Sequence, residues 1–185
     1  MTFAFMKQTE LIADLKARTS ELIKQAEAFK QLPTERLNQK SSSTSWSVLE
    51  CLEHLNLYGD FYLPEIESCI IDGEKINQDP NFKSGWFGER TVQDMLPKND
   101  KVKKMNTFKD KNPLNSDLSI ATIDRFIKQQ EGILRLLDLA SSVHLEKVKT
   151  KITLPLIKFK LGTTFRFVIY HNQRHLWQAN NLLKN

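Results

Sequence analysis

The sequence TTFRFVIYHNQRHLWQANNLLKN, residues 163–185, predicts the last helix of the chain. This helix is expected to begin near Thr163 or Thr164, directly after a glycine, and it carries His171 and His175. Residues four positions apart lie one above the other on a helix face, with Cβ atoms about 5–6 Å apart. Two imidazoles placed in this way can bind one divalent cation, each at roughly 2.0–2.1 Å.

A second helical stretch, SWSVLECLEHLNLYGDFY at residues 45–62, contains a third histidine, His54. Either Ser45 or Ser47 can cap this helix, and Glu50 follows Ser47 at the spacing of a capping box. If this helix packs beside the last one, three neutral imidazole nitrogens can meet with a coordination position left open. Such an open position is typical of a catalytic metal site, because structural zinc sites are usually closed by four protein ligands.

The rest of the chain predicts two more long helices, at about residues 5–32 and 116–139, from apolar residues at helical spacing. Pro64 is expected to kink or end the second helix, since proline cannot donate to the carbonyl of Asp60. The long connection at residues 72–115 carries aromatic side chains, so we expect it to fold back over the helices.

The connection at residues 141–161 can hold a short extended piece, but no stretch predicts a full sheet. An all-α protein follows, built as an antiparallel four-helix bundle with long connections.

Composition predicts one ordinary globular domain over residues 1–185, with 40% hydrophobic and 26% charged residues. No apolar run approaches the roughly 20 residues of a membrane span, and the N-terminus does not resemble a secretory signal. We therefore expect a cytoplasmic protein with no membrane partner. Cys51 and Cys69 are expected to be reduced, because 18 residues of helix would separate them by about 27 Å.

The net charge of +5 is concentrated in lysine-rich segments, including residues 98–111. A basic surface can bind the phosphate backbone of nucleic acids. Because the charge excess is small and no nucleic-acid motif accompanies it, a solvated loop surface is the preferred interpretation and nucleic acid is not an expected partner.

Two familiar metal motifs are missing from the sequence. The segment HNQRH, residues 171–175, has no glutamate in the position that H-E-x-x-H metalloproteases use for their general base. The paired Glu-x-x-His motifs of di-iron bundles are absent too. An open three-histidine site is therefore the metal site that these residues favour.

The residues alone leave several alternatives open. His54 can equally be a core histidine that hydrogen-bonds to a neighbouring helix. Glu50 can orient the His54 imidazole, or it can be only a solvated capping residue. Gln178 shares the face of His171 and can bind water or substrate, or simply end the helix.

Other residues near the candidate ligands are ambiguous in the same way. Cys51 can be a fourth ligand or a small buried hydrophobe. His144 is expected at the surface. Three aromatic residues flank the histidines in sequence and can belong either to the core or to a substrate-binding wall: Trp46, Tyr170 and Trp177.

Several of these segments resemble the DinB-like (YfiT-like) superfamily of metal-dependent enzymes. The resemblance covers nearly the whole chain and is carried by WSVLECLEHL (46–55), KMNTFKDKNP (104–113), the Leu-Pro pair before the last helix, and HNQRHLWQ (171–178). It implies a bundle of up-down-down-up topology and a metal triad at His54, His171 and His175. It also implies a homodimer, and a divalent metal that is nickel, zinc, iron or manganese.

The resemblance implies an activity as well. Members typically transfer a low-molecular-weight thiol, such as bacillithiol or mycothiol, to an electrophilic small molecule, and others are described as hydrolases. Residues 98–111 would then be a candidate for anchoring an anionic thiol. Two alternatives stay open at this point: a non-catalytic interaction module with a structural or vestigial metal, and a phosphate-backbone binder that uses the basic loop.

Overall fold

The computed structural model describes residues 6–97, 102, 103 and 105–184. In these residues the helices are α1 (Gln8–Phe29), α2 (Thr34–Leu37), α3 (Val48–Ile71), α4 (Trp86–Gln93), α5 (Ala121–Ala140) and α6 (Leu161–Leu183). The strands are β1 (Met6–Lys7), β2 (Asn81–Phe82), β3 (Lys149–Lys151) and β4 (Lys158–Lys160). They form two antiparallel pairs, β1 with β2 and β3 with β4. The predicted all-α class is confirmed, since α1, α3, α5 and α6 form the body of the protein.

The direction of each long helix follows from the side chains that meet between neighbours. Successive residues of α1 pair with earlier and earlier residues of α5, so these two helices are antiparallel. Successive residues of α3 pair with later and later residues of α5, so these two helices are parallel. Successive residues of α3 meet earlier and earlier residues of α6, so these two helices are antiparallel. The pairs, in that order, are Lys16–Asp138 and Lys30–Asp124, Glu53–Arg125 and Glu67–Arg135, and His54–His171 and Tyr62–Phe167. The bundle is therefore up-down-down-up, with the helices in the order α1, α5, α3, α6 around it.

The start of α3 is fixed by a buried capping box. Ser47 is the N-cap, and its hydroxyl accepts a hydrogen bond from the backbone N–H of Glu50. The Glu50 carboxylate accepts one in return from the backbone N–H of Ser47, at 2.8 Å. Of the two predicted caps, Ser47 is therefore the correct one. Because two otherwise unpaired donors are satisfied, α3 begins at a defined residue, six positions before His54.

Of the two outcomes predicted at Pro64, a kink or a helix end, the helix end is wrong, since α3 continues to Ile71 with Pro64 inside it. Pro64 lies on the exposed side of α3, where water can reach the carbonyl that a proline leaves without a donor. Ile66 and Ile70 are buried beyond it, so packing holds the last two turns in place.

The other predicted boundaries shift by a few residues. The first helix was predicted at residues 5–32 and is shorter at both ends, with Phe5 lying outside the described residues. The third begins at Ala121 instead of 116. The last begins at Leu161, two or three residues earlier than predicted, with Gly162 inside it. Gly162 is needed there because a Cβ atom would lie 2.5 Å from the Phe82 ring.

The connection between α3 and α5 folds back over the bundle, as predicted, but it is more structured than the sequence indicates. It contains β2, α4 and a 3-10 turn at Lys109–Lys111. Of its aromatic residues Phe82 is buried, whereas Trp86, Phe87 and Phe108 are exposed. Residues 98–101 and 104 of the lysine-rich segment lie outside the described residues.

The connection between α5 and α6 forms the β3–β4 hairpin, so the predicted extended piece is confirmed. Leu156 lies in the turn of this hairpin with a positive φ of 65°. Cys51 and Cys69 are both free thiols, as predicted. Among the described residues, no helix is both long enough and apolar enough to cross a membrane.

Gln8 joins the beginning of α1 to the chain that follows α5. Its side-chain amide donates to the Val143 carbonyl at 2.9 Å and accepts from the Leu145 N–H at 3.0 Å. Gln8, Val143 and Leu145 are all buried. The side chain therefore satisfies two backbone groups that water does not reach.

We expect Gln8→Ala to lower the free energy of unfolding by about 2 kcal/mol, because a buried carbonyl and a buried N–H lose their partners. Urea denaturation followed by circular dichroism measures this change. Gln31→Ala, in the exposed turn after α1, is the matched control and should change stability by less than about 0.5 kcal/mol. Equal effects of the two substitutions would contradict this role of Gln8.

Candidate metal centre

Three histidine side chains meet where α3 packs against α6. His54 comes from α3, and His171 and His175 come from successive turns of α6. The Nε2 atom of His171 lies 3.2 Å from Nε2 of His54 and 3.1 Å from Nε2 of His175. All three residues are buried, with 2%, 7% and 7% of their surface exposed. The three histidines form a group that could hold a metal ion.

Two of the rings are oriented by hydrogen bonds at their other nitrogen. Nδ1 of His54 lies 2.6 Å from the Lys111 carbonyl, and Nδ1 of His175 lies 3.1 Å from the Gln178 side-chain oxygen. A carbonyl oxygen only accepts, so each Nδ1 carries the hydrogen and each Nε2 carries a lone pair. Gln178, a candidate for binding water or substrate, instead orients an imidazole.

This arrangement leaves a buried imidazole nitrogen without a hydrogen-bond donor, and a bound cation would satisfy it. The lone pairs of His54 and His175 both point toward the His171 Nε2 atom, which carries at most one hydrogen. Within the group, at least one buried acceptor therefore has no donor, which costs free energy. A divalent ion with ligands at about 2.1 Å needs N···N separations of about 3.0–3.4 Å, and the two shorter separations here match that range. The donor set therefore fits a metal ion.

The histidines are held in the neutral form that a metal requires. Burial lowers the pKa of His54 to about 4. Burial, followed by the neighbouring histidines and Arg174, moves the pKa values of His171 and His175 well below the usual range. At neutral pH all three rings can therefore offer a lone pair without first losing a proton.

Aromatic rings surround the three imidazoles. The Trp46 ring lies 4.6 Å from His54 and 5.6 Å from His175, measured between centroids, and its Nε1 donates to Asn112. The Tyr58 ring lies 4.9 Å from His54 and 4.8 Å from His171. Of the flanking aromatics, Trp46 thus packs on the site, which strengthens any charge interaction inside it by excluding water.

The histidines open onto a cavity of about 280 Å³. Its walls come from α3, α4, α6, the β3–β4 hairpin and residues 105–108, and they are largely apolar. Tyr170 and Trp177 are not among the described residues that line it; Tyr170 packs between Arg18 and Arg166. A cavity of this size fits a small organic molecule beside the three imidazoles.

The remaining candidates do not join the site. Glu50 is a buried capping residue: besides the Ser47 N–H, its carboxylate accepts from Lys40 at 2.6 Å and from the Asn115 N–H at 2.5 Å. The expected role as an orienting carboxylate is thus taken by the Lys111 carbonyl. Cys51 lies in the apolar core, where burial raises its pKa strongly, so it is a buried hydrophobe.

The sequence interpretation missed three groups at the site. Tyr58, which carries a hydroxyl, lines the cavity, whereas the helix pattern predicts only a core residue at this position. The Lys111 carbonyl gives no sequence signal, because every residue has one. Arg174, which lies between His171 and His175 in the sequence, lines the cavity. Its place inside HNQRH was the only sequence signal for this role.

The lowered histidine pKa values predict a pH dependence of stability in metal-free protein. An unfolded histidine binds protons below about 6.5, whereas folded His54 does so only near 4, so the unfolded state gains protons first as the pH falls. The stabilisation that comes from the lowered pKa of His54 is complete above about pH 6.5 and is lost as the pH drops toward 4. The free energy of unfolding should therefore rise with pH between about 4 and 6.5. We expect His54→Gln to reduce the slope of this rise by up to about 1.4 kcal/mol per pH unit.

Urea unfolding of chelator-treated protein at several pH values between 4 and 7 measures this slope. The variant His144→Gln is the control, since His144 is outside the cluster and lies between α5 and β3. An unchanged slope in His54→Gln would show that His54 is not held neutral by the fold.

Comparison with known proteins assigns the chain to a family. No curated protein and no solved structure matches it. The family model of the DinB superfamily matches residues 18–179, which include α3, α5, the three histidines, about half of α1 and most of α6. The chain therefore belongs to the DinB superfamily.

Proposed function

We propose that His54, His171 and His175 bind one divalent cation and that the protein transfers a low-molecular-weight thiol to an electrophilic small molecule. The superfamily is one of metal-binding proteins, and the three buried histidines can hold a metal ion. The observation that carries the proposal is the convergence of three Nε2 atoms at the wall of an apolar cavity. When bound there, a divalent cation would lower the pKa of a thiol and stabilise the thiolate for attack.

The protein's own groups have separate tasks in this reaction. The Lys111 carbonyl and Gln178 fix the direction of two imidazoles before any ligand enters. Trp46 and Tyr58 exclude water from one side of the cluster. Burial raises the pKa of Tyr58 to about 12, so its hydroxyl keeps its proton and can donate a hydrogen bond to a bound anion.

Hydrolysis of a small substrate is the second candidate, because the same open side of the cluster admits water. Imidazole ligands suit zinc, nickel and iron, whereas manganese prefers oxygen ligands, so the donor set favours the first three of the four metals. A non-catalytic module with a structural metal is the alternative from a different class. The cavity beside the histidines speaks against it, since a structural site is usually closed by a fourth protein ligand.

We expect His171→Ala to lose the bound metal, because Nε2 of His171 is the atom that both other Nε2 atoms approach. Elemental analysis after equimolar loading and dialysis measures metal per chain. His144→Ala is the control and should keep the wild-type content, since His144 is outside the cluster. If His171→Ala retains as much metal as the control, the triad assignment is wrong.

We expect metal-loaded wild-type protein to conjugate low-molecular-weight thiols to a reactive aromatic electrophile, and His54→Ala to lose at least about 100-fold of this rate. Loss of free thiol, titrated with a chromogenic disulfide reagent, and mass spectrometry of the conjugate provide two readouts. Ester hydrolysis without thiol conjugation would favour the second candidate. A tightly bound metal without either activity would favour the structural alternative.

A further inference from the structure

We propose that Arg174 is an anion-binding group inside the cavity, and that the ligand it selects is a small organic carboxylate with an apolar body. This inference deepens the proposed function: it names a chemical class for the molecule that occupies the cavity beside the three histidines. It rests on the proposed function only in placing the reacting end of that molecule at the cation.

Arg174 is a buried cation that faces the cavity. The residue is only 6% exposed, yet it is among those that line the cavity. Its contacts with described residues are to backbone carbonyl oxygens, those of Lys103 and Asp94, the latter at 3.5 Å. A guanidinium has five N–H donors, so these two contacts leave donors for a ligand.

Among the described residues, no carboxylate pairs with Arg174 to balance its charge. Across residues 6–97, 102, 103 and 105–184, no aspartate or glutamate forms an ion pair with it, whereas Arg166 on the same helix pairs with Glu89 at 2.5 Å. Desolvation lowers the pKa of Arg174, but a guanidinium stays charged at neutral pH. A buried charge without a counter-ion is costly, and an anionic ligand would remove that cost.

Arg174 is close to the three histidines. It precedes His175 in α6, both side chains line the same cavity, and the Arg174 charge contributes to the lowered pKa of each histidine. A small molecule can therefore reach Arg174 with one end and the cluster with the other. A carboxylate suits the guanidinium because its two oxygens can accept two parallel N–H bonds.

The walls define the rest of the ligand. Four phenylalanines line the cavity: Phe87, Phe108, Phe159 and Phe167. No described lining residue is an aspartate or a glutamate, so a second positive group on the ligand would have no carboxylate partner there. An aromatic or aliphatic body is the complement of such walls.

The lysine-rich loop at residues 98–111 is a weaker candidate for the same task. Two of its described lysines pair with carboxylates, Lys103 with Asp94 and Lys111 with Asp110. None of the described lysines lines the cavity, whereas Arg174 does. The anion site is therefore assigned to Arg174.

The test uses 3-phenylpropionate and its uncharged analogue 3-phenylpropanamide as probes, with isothermal titration calorimetry on protein before and after zinc loading. We expect the acid to bind wild-type protein roughly 10–100-fold more tightly than the amide in both preparations. The variant Arg174→Gln should bind both probes equally, and Arg174→Lys should keep part of the preference. Arg135→Gln, which removes an exposed charge on α5, should behave as wild type.

A second measurement does not depend on the fold of a variant. In 15N-labelled wild-type protein, the Arg174 Nε–H resonance should shift on addition of the acid and remain unchanged with the amide. Equal affinity of acid and amide, or no binding of either, would overturn the proposal. So would an acid preference that persists in Arg174→Gln or requires zinc, since the carboxylate would then bind the metal.

The outcome separates this inference from the proposed function. Metal content and thiol conjugation test the histidine cluster, and neither depends on the charge of the probe. A protein that binds metal and conjugates thiols but shows no acid preference keeps its proposed function and loses the Arg174 site. A protein that prefers the acid but binds no metal keeps the Arg174 site and loses its proposed function.

Discussion

The antiparallel contact between α3 and α6 is the constraint on which the site depends. Tyr62 meets Phe167 at one point along it, and two turns earlier on α3 His54 meets His171. This register brings a histidine of α3 to the middle of the pair on α6. A shift of one turn, about 5.4 Å, would separate nitrogen atoms that now lie 3.2 Å apart. The packing of apolar and aromatic side chains therefore sets the position of the polar cluster.

The residues of HNQRH show how one helix serves several neighbours. His171 and His175 face α3, whereas Asn172 donates to Gln130 on α5 at 2.8 Å, and Gln173 accepts from Arg18 on α1. Arg174 binds carbonyls of the connection that follows α4. Successive helix residues are about 100° apart, so consecutive positions reach different neighbours. The spacing of the two histidines thus reflects the arrangement of the bundle as well as metal geometry.

The elements that the sequence predicts well are those with local causes. Four helices follow from apolar periodicity, and the start of α3 follows from Ser47 and Glu50, because a capping box lies within four residues. The convergence of His54 with His171 and His175 was predicted only on the condition that the two helices pack side by side, and that contact is not local. What could not be predicted depends on distant chain segments. Glu50 is buried because Lys40 and the backbone of Asn115 come to it. That contact also holds the segment whose Lys111 carbonyl orients His54.

The charge balance of the cavity favours an anionic ligand. Three neutral imidazoles would leave the full charge of a divalent cation uncompensated, and Arg174 adds another positive charge to the same cavity. No described lining residue is acidic, and the largely apolar walls screen these charges less than bulk water would. A thiolate on the cation and a carboxylate on the guanidinium would each neutralise part of this charge. A neutral ligand would neutralise none of it, so the cavity favours a ligand that arrives as an anion.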